Sequence, residues 1–320
     1  MTARRIPLLA LLLATALLTA ACGMSSTGPG AAPGSLARQA DLSGHTYVVG
    51  SKNGDEQQLL CQITITGLQS AGASVTDRCG IGGSDVTRQA LLSGDISLYW
   101  EYTGTAWASF LPGTHRLPDD QVLRELRERD LAENGIAWLR PTGFENTHAF
   151  TVDGSTSARL NLHTISDMAA YLRSGRPGTV CVEAEYSSRE DGLRGLQQAY
   201  GFEIPPDRIQ VLDAGLIHRS TADGVCQFGE VGTSDGRVPG LGLRVLDDDR
   251  GYHVTDNAAP TIRKDVLDQA PEVARILDTL SGALDRSTIL SLNSKVSAQG
   301  RVPRDVARAW LDGRGFIGGP

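Results

Sequence analysis

The histidines, cysteines and acidic residues of this chain could serve catalysis or metal binding, but their spacing fits neither role. No two histidines have the H-E-x-x-H spacing of a zinc peptidase, and no two cysteines have the C-x-x-C spacing of a zinc site. Gly80-Ile81-Gly82-Gly83 lacks the third glycine of a dinucleotide-binding loop, and Asp247-Asp248-Asp249 lacks the spacing of a calcium loop. We therefore predict no catalytic residue, no cofactor and no metal ion, and a binding protein rather than an enzyme.

The stretch Leu98-Tyr99-Trp100-Glu101-Tyr102-Thr103-Gly104-Thr105 combines aromatic rings with hydroxyl groups. It follows Ser93-Gly94-Asp95-Ile96, and the two segments together predict the end of a helix, a buried strand and a glycine turn. An aromatic residue at the end of such a strand suits either core packing or contact with a ligand. The residues themselves leave that choice open.

Four cysteines remain once Cys22 is set aside, an even number that is typical of disulfides in an exported protein. Four cysteines allow three pairings, and their places in the predicted elements favour Cys61–Cys79 and Cys181–Cys226. Each bond would close a loop within one half of the chain and stabilise the fold by roughly 3–4 kcal/mol. The alternative is that the four residues are buried free thiols.

The first residues have the features of a bacterial export signal. Arg4 and Arg5 precede an apolar run at 6–18, which is too short to span a bilayer. The run ends in Thr19-Ala20-Ala21-Cys22, which resembles a lipobox. We therefore predict a lipoprotein signal peptide at 1–21 and lipidation of the cysteine that follows it. The alternative is an ordinary signal peptide followed by a chance cysteine.

The mature chain is predicted to be an acidic, two-lobed protein on a tether. Residues 22–44 begin with a stretch rich in Ser, Gly, Pro and Ala and are interpreted as a flexible tether. Removal of residues 1–21 leaves 28 basic and 37 acidic side chains, a net charge of −9. This balance argues against nucleic acid as a partner and is compatible with a cationic ligand. The chain after the tether is long enough for two lobes, and no second apolar run is long enough for a transmembrane helix.

Strand and helix patterns alternate along the chain, which favours largely parallel sheets covered by helices. The alternation runs to about residue 139 and then restarts near residue 166. From residue 264 the chain is predicted to be mostly helical. The predicted strands are 46–50, 75–78, 96–100, 136–139, 179–183, 208–212 and 225–231, and the predicted helices are 55–71, 85–92, 118–134, 166–174, 191–200, 215–222.

Two such α/β units followed by a helical tail predict a bilobal fold. Lobe 1 would comprise 45–147 plus 254–320 and lobe 2 would comprise 148–253, so the chain would cross between the lobes twice. The two crossovers would form a hinge, and a ligand bound in the cleft would draw the lobes together.

The segment around Tyr102 resembles the substrate-binding lipoproteins of glycine betaine, choline and carnitine ABC transporters. Other blocks resemble the same family in the same order over nearly the whole mature chain, and the ordered set is specific although each block alone is weak. The resemblance implies a type II periplasmic-binding-protein fold with two mixed-sheet lobes, two crossovers and a helical C-terminal segment. The blocks are Gly50-Ser51-Lys52-Asn53 with Glu56-Gln57, Gly82-Gly83-Ser84-Asp85-Val86, Gly143-Phe144-Glu145-Asn146-Thr147, Asp191-Gly192-Leu193, Thr233-Ser234-Asp235-Gly236-Arg237 and Asn257-Ala258-Ala259-Pro260.

The resemblance also implies how a ligand would be held. A quaternary ammonium cannot donate a hydrogen bond, so aromatic faces bind it by cation–π attraction, and Tyr102 matches such an aromatic. Lys52, Thr105 and Arg189 match groups that contact the ligand carboxylate, and the helix beginning near Thr105 would add free N–H groups. The implied ligand-binding residues are Lys52, Tyr102, Thr105, Asn146, His148, Arg189 and His218.

Each of these residues also has a purely structural interpretation. Tyr102 could pack in the core, Lys52 could be a solvated loop residue, Thr105 could be a helix cap and Arg189 could form a surface ion pair with its neighbours. The histidines could be ordinary hydrogen-bonded residues of the cleft.

Three positions depart from the family pattern in ways that bear on the ligand. His148 and His218 stand where tyrosines are usual, and Gly232 stands where a third aromatic is common. The site would then bind betaine weakly, or it would bind a larger or differently functionalised zwitterion such as ergothioneine, with the histidines as hydrogen-bonding partners and Gly232 making room.

The resemblance implies a solute receptor that works with an ABC permease and its ATPase. The ligand would be a small zwitterionic or cationic solute, and the protein would be a monomer anchored by lipid to the outer face of the cell membrane, with no nucleic acid partner. The alternative is a surface sensor that uses the same fold without transport, which a neighbouring permease gene would distinguish.

Overall fold

The computed structural model describes residues 31–111 and 117–318. The predicted signal peptide at 1–21 and the lipidation site Cys22 lie outside the described residues. Within them no helix is both long enough and apolar enough to cross a membrane. The strands are β1 Ala32–Pro33, β2 Thr46–Lys52, β3 Ser74–Gly82, β4 Leu98–Tyr102, β5 Ile136–Trp138, β6 His148–Asp153, β7 Val180–Val182, β8 Ile209–Val211, β9 Phe228–Gly232, β10 Leu243–Leu246, β11 Ala258–Arg263 and β12 Ile317–Gly318.

The helices surround two sheets, and short 3₁₀ turns at Leu36–Arg38 and Pro206–Arg208 and π-type turns at Glu190–Arg194 and Ser294–Ala298 complete the fold. The helices are α1 Asp55–Ser70, α2 Ser84–Ser93, α3 Thr103–Ser109, α4 Asp119–Asn134, α5 Gly154–Leu160, α6 Ile165–Arg173, α7 Ala184–Ser188, α8 Gly195–Tyr200, α9 Ala214–Ala222, α10 Arg237–Gly240, α11 Lys264–Gln269, α12 Val273–Ala283, α13 Arg286–Asn293 and α14 Pro303–Gly313.

The two sheets have the same topology. The first has the strand order β3-β2-β4-β11-β5 and the second has the order β8-β7-β9-β6-β10. In each, three parallel strands are followed by an antiparallel strand that lies fourth in the sheet. That antiparallel strand is the first one formed after the chain crosses over, which is the type II arrangement implied by the resemblance. All strands of the first sheet fall within the predicted lobe 1 and all strands of the second within the predicted lobe 2.

The strand directions bring one edge of each sheet to the space between the lobes. In parallel α/β sheets ligands bind beyond the carboxyl ends of the strands. Here β2, β4 and β9 end at Lys52, Tyr102 and Gly232. The antiparallel β6 runs the other way, so its first residue, His148, lies beside Gly232 at the same edge.

The two crossover segments run side by side. Glu145 and Asn257 form an antiparallel bridge, and the Asn146 N–H donates to the Asp256 carbonyl at 2.9 Å. This pairing is short, so the chain connects the lobes through two adjacent crossover segments that make few hydrogen bonds to each other. That is the arrangement expected of a hinge.

Helix α1 is buried on nearly all sides because the C-terminal helices return to cover it. Its Leu59, Leu60 and Ile63 belong to the same core as Ile276 and Leu280 of α12. Close packing is possible because Gly67 has no side chain: a Cβ there would meet Leu280 at 3.2 Å and Leu36 at 3.3 Å. The predicted helical C-terminal segment is therefore part of the first lobe's core.

The tether predicted at 22–44 is wrong for residues 31–44. Strand β1 pairs with β12, and Leu36 and Leu42 are fully buried in the first core. The sequence did not reveal this packing, because the stretch before residue 35 is polar and two isolated leucines show no periodicity. The folded unit therefore begins by residue 31.

Both predicted disulfides are confirmed. Cys61 of α1 is bonded to Cys79 of β3 in the first lobe. Cys181 of β7 is bonded to Cys226, which precedes β9, in the second lobe. The alternative of buried free thiols is therefore wrong.

Candidate ligand-binding site

A cavity of about 190 Å³ lies between the lobes at the edge where the strands end. Its volume is below the range of drug-sized pockets, so it suits a small solute. All the residues predicted from the resemblance line this cavity: Lys52, Tyr102, Thr105, Asn146, His148, Arg189 and His218.

Tyr102 is largely buried, so it does not present an open aromatic face to the cavity. Only 8% of it is exposed, and its hydroxyl donates to the Glu56 carboxylate at 2.5 Å. The Lys52 ammonium lies 5.1 Å from the centroid of the Tyr102 ring, which is within the range of a cation–π contact. An ammonium of the protein therefore already lies over this ring.

Lys52 is a buried, paired residue, so its interpretation as a solvated loop lysine is wrong. Its ammonium lies 2.5 Å from Glu101, which is fully buried. Glu101 also accepts hydrogen bonds from the Tyr99 hydroxyl and from the backbone N–H of Tyr102. Three donors therefore hold Glu101, and this carboxylate fixes Lys52 at the wall of the cavity.

Thr105 has no donor left for a ligand, contrary to the expectation of free N–H groups at this helix start. Its backbone N–H donates to one oxygen of Asp256 at 2.9 Å, and its hydroxyl donates to the other at 3.0 Å. Gly104 allows this approach, because a Cβ there would meet Asp256 at 2.9 Å. Asp256 thus binds the start of α3 to the second crossover.

Arg189 reaches the cavity from lobe 2 and also touches lobe 1. Its guanidinium forms a two-pronged pair with Asp191, at 2.9 and 2.5 Å, and one nitrogen lies 3.5 Å from the Thr105 hydroxyl oxygen. Burial opposes its charge, but the hydrogen bonds and charge of Asp191 raise the pKa of Arg189. Arg189 is thus a largely buried cation in contact with both lobes, in addition to its pair with a sequence neighbour.

His148 is paired with a carboxylate that the sequence analysis did not identify. Its Nδ1 lies 2.7 Å from Glu230, a buried residue of β9. Burial would lower the pKa of His148, but the hydrogen bond and charge of Glu230 raise it. The second oxygen of Glu230 accepts the backbone N–H of Glu183 at 3.2 Å.

Glu183 follows β7 and adds a second acid to this wall of the cavity. Burial and the nearby charge of Glu230 raise the pKa of Glu183 to about 7. Glu183 is therefore the acid of this wall whose charge changes near neutral pH.

His218 is 1% exposed and hydrogen-bonds to the backbone. Its Nδ1 lies 2.8 Å from the Ala214 carbonyl, which can only accept, so Nδ1 carries the proton and Nε2 is left as an acceptor. Burial lowers the pKa of His218. Its Nε2 lies 3.3 Å from Asp235 without a hydrogen bond.

Asn146 fills the space beside Gly232. A Cβ on Gly232 would meet the Asn146 Oδ1 at 2.0 Å. The Asn146 amide in turn donates to Glu56 at 3.2 Å. The Asn146 side chain therefore occupies the place that a Cβ at Gly232 would take, and Gly232 itself lines the cavity.

Glu56 is the centre of a buried network that joins the lobes. It accepts hydrogen bonds from the Ser234 hydroxyl of lobe 2 and from the Asn293 amide of lobe 1, both at 2.6 Å. Burial raises the pKa of Glu56, against the effect of these donors and of Tyr102. Glu56 was present in a block of the resemblance, but its depth in the fold was not evident from the sequence.

A second contact between the lobes lies at the start of α2. The Glu185 carboxylate of lobe 2 accepts the Ser84 hydroxyl at 2.6 Å and the Ser84 N–H at 3.2 Å. Arg237 of lobe 2 also lies 3.7 Å from Asp55 of lobe 1. The lobes therefore contact each other directly around the cavity.

The segment Gly232-Thr233-Ser234-Asp235-Gly236 has the G-x-S-x-G spacing of a hydrolase nucleophile turn. Its serine is 1% exposed, and its hydroxyl donates to Glu56 rather than to a histidine. A nucleophilic serine needs a neighbouring base that is itself oriented by a third group. Here the hydroxyl instead forms part of the contact between the lobes.

One group of metal-ligating residue types stands out in the part of the chain that the structure describes: Cys61, Asp77 and Cys79. Both of its cysteines are consumed by one disulfide. Their sulfurs are therefore not available as thiolate ligands.

Acidic side chains are the main feature of the cavity that sequence reasoning missed. Glu56 and Asp235 lay in family blocks without an assigned role. Glu183 and Glu230 could have been noticed as charges at the end of, or inside, otherwise apolar strands, where a buried acid needs a partner. The acidic residues that line the cavity are Asp55, Glu56, Glu183, Glu185, Glu230, Asp235 and Asp256.

Two lobes of like topology, two adjacent crossovers and a small polar cavity between the lobes define a bilobal solute-binding protein of the type II periplasmic class. Comparison with known proteins narrows this class. A sequence model described as the substrate-binding domain of ABC-type glycine betaine transport systems matches residues 45–313. The glycine-betaine-binding protein of Pseudomonas aeruginosa is 33% identical over 272 residues, which are 83% of this chain and 87% of that protein. The chain belongs to this family of ABC substrate-binding proteins.

Two other relatives extend the comparison. The chain is 30% identical over 272 residues to the ergothioneine transport permease/ergothioneine-binding protein EgtU of Helicobacter pylori. That match covers 84% of this chain but 48% of the longer relative. The solved apo structure of YehZ from Escherichia coli superposes with a TM-score of 0.64 at 28% identity, covering 85% of this chain and 99% of that one.

Proposed function

We propose that this protein captures a small zwitterion of the quaternary-amine class, or a related zwitterion, outside the cytoplasm and delivers it to an ABC permease and its ATPase. It acts as a binding protein and not as an enzyme. The observation that carries this proposal is the mixed charge of the cavity, together with family membership. Lys52 and Arg189 bring positive charge to its wall, and Glu183 and Glu230 bring negative charge.

A zwitterion matches this arrangement because it carries both charges on one small molecule. Its carboxylate would lie near Lys52 and Arg189, where charge-assisted hydrogen bonds are available. Its cationic part would face the acids of lobe 2. A ligand that touches both lobes stabilises the arrangement in which they are in contact.

The protein's location and partners follow from the same proposal. Cys22 would carry the lipid that holds the protein, as a monomer, at the outer face of the cell membrane. Residues between the lipid and residue 31 would then serve as the tether. Loss of membrane association in a Cys22→Ala variant, measured by fractionation of cells, would support the anchor, and unchanged association would contradict it.

Ergothioneine is a second candidate for the ligand. The relative from Helicobacter pylori is named for it. His148 and His218 also replace aromatic faces with hydrogen-bonding groups, which suits a ligand with ring nitrogens.

Isothermal titration calorimetry would test the proposal on a soluble form beginning at residue 23, which retains the whole folded unit. Glycine betaine, choline, carnitine, proline betaine and ergothioneine would be titrated at about pH 7.5 and pH 5.5. We expect saturable binding of at least one zwitterion and about a tenfold or greater loss in Arg189→Ala. Arg194→Ala is the matched control, because that arginine is largely exposed and pairs with the exposed Glu190. Absence of saturable binding across the panel would contradict the proposal.

A further inference from the structure

We propose that the natural ligand presents N–H donors to this cavity, so that it is a zwitterion with hydrogen-bearing nitrogens rather than one recognised only through a fully methylated ammonium. This inference rests on the proposed function, since it names the class of solute for the same site. It is carried by polar atoms of the cavity that have no partner within the protein.

His218 provides the first unpartnered acceptor. Its Nδ1–H donates to the Ala214 carbonyl. In this tautomer Nε2 carries a lone pair and can accept a hydrogen bond from a donor. The side chain is 1% exposed, lines the cavity and has no hydrogen bond at Nε2. The neighbouring Asp235 is itself an acceptor and is held by Arg237 through two nitrogens. It therefore does not satisfy the imidazole.

Asn293 provides the second unpartnered acceptor. Its amide nitrogen donates to Glu56 at 2.6 Å and to the Ser234 carbonyl at 2.9 Å, which fixes the orientation of the amide. Its Oδ1 is buried without a donor. Buried acceptors in this state destabilise a protein unless a ligand or water supplies the missing hydrogen bond.

Gln57 provides the third unpartnered acceptor. Its Oε1 makes no hydrogen bond within the protein, although the residue is 3% exposed. Among the residues in 31–111 and 117–318, five have buried side-chain polar atoms of this kind, and three of the five line this one cavity. The three residues therefore bring unpaired polar atoms to one cavity, where a polar ligand could hydrogen-bond to them.

One acid of lobe 2, Glu183, adds a further acceptor to the cavity wall. Glu230 is already satisfied by His148 and by the backbone of Glu183. The Glu183 carboxylate lies beside them at the cavity wall. An N–H group on a cationic or ring nitrogen can donate a hydrogen bond to this carboxylate, whereas a trimethylammonium group has no hydrogen on nitrogen to donate.

The aromatic rings at the cavity offer little free surface to a quaternary ammonium. The Tyr102 ring is nearly buried and lies under the Lys52 ammonium. The His148 ring packs against Tyr186 with the centroids 4.8 Å apart and is engaged by Glu230. A quaternary ammonium depends on such faces, so this cavity offers it less than it offers a hydrogen-bond donor.

A methylation series tests the inference on the wild-type protein. Glycine betaine, N,N-dimethylglycine and sarcosine differ only in how many methyl groups replace hydrogens on nitrogen, and proline betaine is compared in the same way with proline. Ergothioneine adds ring N–H donors to a trimethylammonium. We expect the tightest member to carry an N–H and to bind at least about tenfold more tightly than its fully methylated counterpart or, for ergothioneine, than glycine betaine.

The possible outcomes separate this inference from the proposed function. If a fully methylated member without N–H binds as tightly as any other, the inference is overturned while the proposed function stands. If no member of the series binds, both fail. If the N–H-bearing members bind most tightly, both are supported.

Two variants then locate the acceptors. His218→Phe keeps a ring but removes Nε2, and Glu183→Gln keeps the shape but removes the charge; each should reduce the preference for N–H donors about tenfold. His163→Phe and Glu203→Gln are the controls, because both residues are exposed on lobe 2 and lie outside the cavity. An unchanged preference in both cavity variants, with thermal unfolding showing that they are folded, would contradict the assignment of these acceptors.

Discussion

At the scale of single residues, the site is defined by buried charges that hold one another in place. Lys52 is fixed by Glu101, Arg189 by Asp191 and His148 by Glu230. Such pairs orient a side chain, and removing one partner leaves the other charge buried and unpaired. The cavity is therefore built for polar recognition by pre-oriented groups.

Glu183 gives a prediction about stability and pH. The pKa of Glu183 is raised from 4.5 to about 7, chiefly by burial. The folded protein therefore binds more protons at this group than the unfolded chain between these values, so its contribution to stability falls as pH rises through that window. Glu183→Gln removes the buried charge and should raise the free energy of unfolding by about 2 kcal/mol at pH 8, with little change at pH 5.

Thermal and denaturant unfolding of the wild type and the variant at both pH values would measure this effect. Glu203→Gln, at an exposed position of the same lobe, should show no pH-dependent difference. Equal stability of Glu183→Gln and the wild type at pH 8 would show that the carboxylate is not held in a desolvated state.

At the scale of elements, the repeating βα units could be predicted from the sequence, and the strands that follow the crossovers could not. Predicted helix 118–134 corresponds to α4 and ends at Gly135, whose φ of 67° suits glycine. In contrast, β11 contains Ala258, Ala259 and Pro260, which are poor strand formers, and forms only because β4 and β5 pair with it on either side.

The ligand-binding site could likewise be predicted from the sequence only in part. The residues named from the resemblance all line one cavity, because ordered motifs carry positional information. The resemblance could not show that Asp256 consumes the donors of Thr105, or that Lys52 lies over Tyr102, since those contacts depend on how elements far apart in the sequence pack.

Contact between a crossover and β9 gives a prediction at this scale. Gly232→Ala would place a Cβ 2.0 Å from the Asn146 oxygen and displace that side chain from its bond with Glu56. We expect a loss of about 1–3 kcal/mol in the free energy of unfolding, measured by chemical denaturation. Gly313→Ala is the control, since a Cβ at the end of α14 meets nothing within 4 Å. Equal stability of the two variants would contradict the packing of Asn146 against Gly232.

At the scale of the whole molecule, the protein is two similar lobes that meet around their ligand site. One direct contact between them lies at the start of α2, where Ser84 and Glu185 join the lobes at the wall of the cavity. Such contacts set the balance between separated and joined lobes in the absence of ligand. A ligand then binds with an apparent affinity reduced by the fraction of molecules in which the lobes are apart.

Glu185→Gln tests this balance. The variant weakens the charge-assisted bonds to Ser84, so we expect a larger radius of gyration without ligand, by small-angle X-ray scattering, and roughly 3–10-fold weaker binding by calorimetry. Glu190→Gln is the control, because that glutamate is 89% exposed and pairs with the exposed Arg194. Unchanged scattering and affinity in Glu185→Gln would show that the contact does not influence closure.

The most direct test is a crystal structure of the protein with the tightest zwitterion identified by calorimetry. We predict one molecule in the cavity between the lobes, with its carboxylate within hydrogen-bond distance of Lys52 or Arg189 and an N–H group toward Glu183, His218 or Asn293. A ligand bound outside this cavity, or one whose carboxylate faces Glu183 and Glu230, would contradict this prediction.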